Sequence, residues 1–73
     1  MPKLPQIKPR ALEKVLIKFG FTSRSTKSGH VVFTHADGRR TVVPGHNQPV
    51  RMGTLRAILR QADITLDSLL ETL

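Results

Sequence analysis

The sequence predicts an α+β fold in the order α-β-β-β-α-α, with a three-stranded antiparallel sheet, helices on one face of it and a short extra C-terminal helix. Three observations predict it. Apolar residues recur at helical spacing in two separated stretches, near residues 12–19 and 55–62. Between them lie short β-branched runs. Glycine-containing turns punctuate those runs, Asp37-Gly38 most plainly.

The elements follow in order. Residues 1–8 carry two of the five prolines and read as an irregular lead-in to a single domain spanning 1–73. Pro9 suits the first turn of a helix, where its missing N–H is not needed. Leu12, Val15, Leu16 and Phe19 make one apolar face, and Gly20 is suited to follow the last turn, giving a helix over 9–19. Thr22 to Thr26 reads as a weak polar strand and Val31-Val32-Phe33-Thr34 as a stronger one. Thr41-Val42-Val43 is the return strand, ended by Pro44. Gly45 to Arg51 is a loop. From Met52 or Gly53 the stripe Leu55, Ile58, Leu59, Ala62 defines a second helix that Asp63 can end, because Asp tolerates the left-handed conformation. Thr65 is placed to cap a last helix carrying Leu66, Leu69 and Leu70.

Composition narrows the function. A chain of 73 residues buries roughly 60% of its unfolded surface, enough for one modest core. Cysteine is absent, so disulfides are excluded. No apolar run approaches the ~20 residues that span a bilayer, and no apolar signal region is visible, so a cytoplasmic protein is expected. The net charge of +7 is unevenly spread. All twelve Lys and Arg lie in residues 1–60 with only Glu13 and Asp37, whereas 61–73 holds Asp63, Asp67 and Glu71. Such a field attracts phosphate polymers or an acidic protein. No helix combines a wide apolar face with a basic one, so a membrane partner is not expected.

The histidines are the chemical candidates. A two-residue type I′ loop at Asp37-Gly38 would pair Phe33 with Val42, Val32 with Val43 and His30 with Gly45, setting His30 beside His46. A second two-residue loop at Ser28-Gly29 would put Lys27 opposite His30. Next to a cation the neutral imidazole is favoured, the form that accepts a proton. His30 and His35 differ in strand parity and face opposite sides of the sheet, so they do not converge on a metal. Alternation does not decide which face is core. Val32 and Val43 would share His30's face, and Val31, Phe33 and Val42 the other. Packing of the first face on the helices would leave Phe33, Arg24 and Arg40 as an open face where an aromatic could stack on a base. At the second helix start, R-M-G-T-L-R, Arg51, Thr54 and the free N–H groups could hold a phosphate, with Gly53 allowing close approach.

These stretches resemble a known family. A leading helix ending in K-F-G-F, then S-G-H-V-V-F-T-H-A-D-G-R-R-T-V-V-P, then G-T-L-R-A-I-L-R-Q-A are similar, in order, to the HicA toxins of HicA–HicB toxin–antitoxin pairs. The resemblance covers about residues 10–64. It implies a double-stranded-RNA-binding-domain-like fold and metal-independent endoribonuclease activity on mRNA, with no cofactor. It implies His30 as the catalytic histidine, with Lys27 and His46 as possible helpers. Arg24, Lys27, Arg39, Arg40, Arg51, Thr54 and Arg56 are the expected RNA- or phosphate-binding residues. The expected partner is a HicB-like antitoxin, acidic where it touches the toxin, and no direct DNA binding is expected from this chain alone. Three departures stand out: Ser28-Gly29 where the family commonly reads Gly-Ser, a shorter loop from Pro44 to Gly53, and Asp63 where glycine is usual. The alternative to an enzyme is an RNA-binding module without catalysis, which reads duplex shape but gives no reason for His30 at its position.

Overall fold

The computed structural model describes residues 6–73 and contains α1 (Pro9–Lys18), β1 (Thr22–Ser25), β2 (Val31–Thr34), β3 (Arg40–Val43), α2 (Met52–Ala62) and α3 (Leu66–Thr72). The expected order is present, and the strands form one antiparallel sheet in the order β1-β2-β3. Of the expected irregular lead-in, residues 1–5 lie outside the described residues. Residues 6–8 are neither helix nor strand, yet Ile7 is a buried core residue and its carbonyl accepts a 2.7 Å hydrogen bond from Val50 N–H.

Helix ends are set locally. At the end of α1, Phe21 N–H reaches back to Leu16 O (3.0 Å) and Gly20 N–H to Ile17 O (3.0 Å), the paired closure that a left-handed glycine permits; Gly20 has φ +93°. Asp63 does the same for α2 at φ 56°, with Ile64 N–H on Leu59 O. Thr65 caps α3, its hydroxyl accepting from Ser68 N–H at 3.1 Å.

The hairpins correct the expected register. Neither loop has two residues. In the β2–β3 connection His35 N–H donates to Arg39 O and Gly38 N–H to His35 O, closing a three-residue loop, Ala36-Asp37-Gly38. A type I′ turn needs positive φ at both of its central residues, but Gly38 (φ +99°) has it and Asp37 does not. The loop is a type I turn followed by a left-handed glycine, and its geometry shifts the pairing by one residue. Phe33 faces Thr41, Val32 faces Val42 and Val31 faces Val43. The β1–β2 connection repeats the device with Lys27-Ser28-Gly29, Gly29 at φ +87°, so Thr26 rather than Lys27 stands opposite His30.

The shift decides the faces. Phe33, Thr41 and Val43 are buried beneath the helices, with Leu12, Leu16, Leu55, Ile58 and Leu69. Val42 is 40% exposed and shares the opposite face with Val32, Thr34, Arg24 and Arg40. Phe33 is therefore a core residue, and Val43 does not share a face with His30. Thr41, the one buried polar side chain among the described residues, donates its hydroxyl to Gln61 Oε1 at 2.8 Å, which satisfies it inside the core.

The β2–β3 turn is also held electrostatically. Asp37 accepts from Arg39 N–H (3.1 Å) and Arg39 Nε (2.7 Å). The Arg39 backbone N–H foremost, then its side chain, holds the Asp37 carboxyl below the usual carboxylate range.

Two outcomes follow. Phe33→Ala should cost about 3–5 kcal/mol in urea unfolding, while Val42→Ala, in the adjacent pair and on the other face, should stay within about 0.5 kcal/mol; equal losses would mean the faces are assigned wrongly. A carboxyl with a depressed folded-state pKa stabilises above its unfolded value, near pH 4, and that stability is lost as pH falls through the folded value. Asp37→Asn should thus be less stable than the parent at pH 7, and the two should converge in thermal melts as pH falls through the folded-state value of Asp37.

Candidate functional site

One end of the sheet gathers the chemistry. Arg39 Nη1 donates to Ala62 O and Thr41 bonds Gln61, so the C-terminal end of α2 lies beside the start of β3. Helix α2 therefore runs antiparallel to β3, and its N-terminus returns to the end where β2 begins. The Val50–Ile7 hydrogen bond brings the start of α1 to that neighbourhood through the same loop. His30, the Lys27–Gly29 turn, His46 and Arg51 thus belong to one end of the fold, and His35, Asp37, Arg39 and Asp63 to the other.

His30 precedes β2 and is exposed. Its parity is that of Val32 and Thr34, which places it on the open face. Its Nδ1 lies 3.1 Å from Ser28 Oγ, Ser28 Oγ lies 2.9 Å from Thr26 Oγ1, and Thr26 Oγ1 donates to His30 O at 2.9 Å. The imidazole is thus tethered to its own turn. Along the same face Arg24, Thr26, Lys27, Val32, Thr34 and Arg40 line a shallow hollow of about 660 Å³.

The register correction moves His46 away from the place expected for it. The residue opposite His30 across the sheet is Pro44, one position before Gly45, and His46 lies in the loop with Nδ1 3.1 Å from Gln48 O. His46 lines a separate depression with Lys8, Pro9, Arg10 and Asn47. Lys8 and Arg10 were not among the residues singled out from the sequence; only the return of the loop onto α1 brings them there.

The other expected binding residues divide. Arg24 and Arg40 share the open face with His30, and Lys27 sits at the turn beside it. Arg51 and Met52 border a further depression with Gln48 and Pro49 at the start of α2. Thr54 is half-buried and Arg56 is exposed on that helix. Arg39 is spent at the far end: it holds Asp37, donates to the end of α2, and its guanidinium sits 5.1 Å from the Phe21 ring centre. His35 packs edge-on to Phe21, 5.1 Å between ring centres, with Nδ1 against Asp37.

Gly45 locks the site loop onto the turn. A Cβ at Gly45 would lie 1.5 Å from Gly29 O, so the chain passes in a contact only glycine allows. This contact and the Ser28–Thr26 tether escaped the sequence reading because a two-residue loop was expected. The signal is nonetheless in the sequence: T-K-S-G-H and H-A-D-G-R share a glycine at the third loop position.

The fold and site define a small basic α+β domain with a tethered, solvent-facing histidine at the end of its sheet. Residues 9–64 match the family described as the HicA toxin of bacterial toxin-antitoxin, and the chain belongs to the HicA toxin family. It is thereby a member of a family of toxins that act in toxin–antitoxin pairs. No curated protein matches the chain. No helix among the described residues is long and apolar enough to cross a membrane.

Gly45→Ala should lower stability by about 1–3 kcal/mol and displace the Lys27–His30 amide resonances. Gly53→Ala, whose Cβ meets nothing within 4 Å, should leave those resonances in place and stabilise α2 by up to about 1 kcal/mol. Superimposable spectra for the Gly45 variant would show that the loop is not seated on the turn.

Proposed function

We propose that the chain is a metal-independent endoribonuclease that cleaves mRNA, with His30 as the proton-transfer group. The observation that carries this reading is the placement of His30: an exposed imidazole tethered to Ser28, heading the strand whose open face carries Arg24 and Arg40, just past the Lys27–Gly29 turn, in a chain of the HicA toxin family. The cationic side chains would hold the phosphate backbone along the hollow. The ribose 2′-oxygen attacks phosphorus as its proton passes to a base. The bond from phosphorus to the 5′-oxygen breaks, and that oxygen takes up a proton. The products are a 2′,3′-cyclic phosphate and a 5′-hydroxyl.

General acid–base help contributes roughly 10²–10⁴-fold. Positioning and charge stabilisation by Lys27 and the arginines supply the remainder. The second proton-transfer group is assigned to Lys27 in preference to His46, because Lys27 belongs to the His30 turn while His46 faces the start of α1.

The basic end also suits the antitoxin. A HicB-like partner that is acidic at its contact surface would cover the His30 face and exclude RNA by occupying the same cations.

The deciding measurement is cleavage of RNA by the parent and His30→Ala, with the new ends identified chemically. The variant should lose at least about 10²-fold in rate while binding RNA unchanged. An active variant removes His30 from the mechanism. Cleavage of a substrate with 2′-deoxyribose at the cut site excludes attack by the 2′-oxygen. Intact RNA after prolonged incubation with the parent protein would favour a binding module.

A further inference from the structure

The hydrogen-bond chain beside His30 has only one consistent direction. Each hydroxyl carries a single proton to donate. Thr26 Oγ1 donates to His30 O, a carbonyl that can only accept, at 2.9 Å. Its proton is therefore spent, and the 2.9 Å contact with Ser28 must be donated by Ser28 Oγ. Ser28's proton is then spent in turn, so the 3.1 Å contact with His30 is donated by Nδ1–H of the imidazole to Ser28 Oγ.

From this we infer that Ser28 and Thr26 are positioning residues that fix neutral His30 as its Nδ1–H tautomer and leave Nε2 as the atom that takes up and returns the proton. The inference rests on the reading of His30 as the proton-transfer group and names the atom through which it works. The direction of the chain is the same in both protonation states, because the imidazolium also carries a proton on Nδ1. Proton uptake at Nε2 therefore requires no hydroxyl to turn and no ring to flip. The ring orientation survives a full cycle of proton transfer, as general acid–base catalysis by one group demands.

The local backbone is suited to this. Gly29, at φ +87°, separates Ser28 from His30 and turns the chain so that a side chain two residues earlier meets the ring. In this chain the hydroxyl two residues ahead is the one that reaches Nδ1.

The tautomer is read without RNA, by long-range ¹H–¹⁵N correlation of the full chain at a pH where the imidazole is neutral. The parent should show protonated Nδ1 and bare Nε2 at His30. Ser28→Ala should shift the equilibrium toward Nε2–H, and Ser28→Thr, which keeps the hydroxyl, should restore Nδ1–H. In RNA cleavage Ser28→Ala should lower kcat about tenfold with KM unchanged, the size of one lost hydrogen bond, and Ser28→Thr should recover it. Thr26→Val frees the Ser28 proton and should weaken the tautomer preference in the same direction. A parent protein with Nε2–H at His30, or a Ser28→Ala protein with its tautomer unchanged, overturns the inference. Retained cleavage by His30→Ala overturns the catalytic reading instead, and the spectra separate the two failures.

Discussion

Gly29 and Gly38 each close a hairpin from the third loop position, at φ +87° and +99°, and the pairing of the whole sheet depends on that geometry. Side chains alternate along a strand, so a slip of one residue in pairing sends every side chain of the slipped strand to the other face. With both loops three residues long, Phe33, Thr41 and Val43 turn toward the helices. Arg24, Val32, Arg40 and Val42 turn away, and His30 stands with the second group. The core and the candidate site are thus two consequences of one turn geometry. Other residues could pack the interior, but none without a left-handed conformation at these two positions would keep the arginines and His30 on a common surface.

The sequence carried the elements far better than their pairing. Helix α1 is legible because Leu12, Val15 and Leu16 follow a 3.6-residue period and Gly20 supplies a left-handed stop. Asp63 and Thr65 act at the helix ends where their side chains suit them. The faces of the sheet were not legible, for a physical reason. Val31-Val32 and Val42-Val43 are doublets, so hydrophobicity does not alternate along either strand. Burial of polar Thr41 beside exposed Val42 then inverts the simple pattern, and it is tolerated because Gln61, from another element, accepts the Thr41 proton. No local signal in β3 announces a partner twenty residues away.

The site was legible in part. His30 stood out as a polar residue heading an apolar strand, and the family resemblance gave it a role. Its real neighbours did not stand out, because Lys27, Ser28 and Thr26 exchange places when a two-residue loop becomes a three-residue one. Arg39 shows the converse. As a charge in sequence it is equivalent to Arg40, but adjacent strand residues point to opposite faces. Arg40 looks out from the open face, while Arg39 is consumed by Asp37, Phe21 and the end of α2.

The two ends of the fold consequently divide their labour. At the far end, polar side chains are spent on structure: His35 on Phe21 and Asp37, Arg39 on the Asp37 carboxylate and on α2. These groups bond to one another, while Arg60 in the last turn of α2 stays exposed. At the near end, Lys27, Arg24 and Arg51 are exposed and without carboxylate partners among the described residues. Under the proposed function, acidic residues would neutralise a field meant to attract a phosphate chain, and Asp37 and Asp63 lie at the opposite end. What holds the near end in shape must therefore be uncharged. Hydroxyls, a backbone carbonyl and the close passage of Gly45 over Gly29 perform that function. This supports the imidazole without adding a negative charge beside it, so the surface stays cationic and the histidine stays oriented.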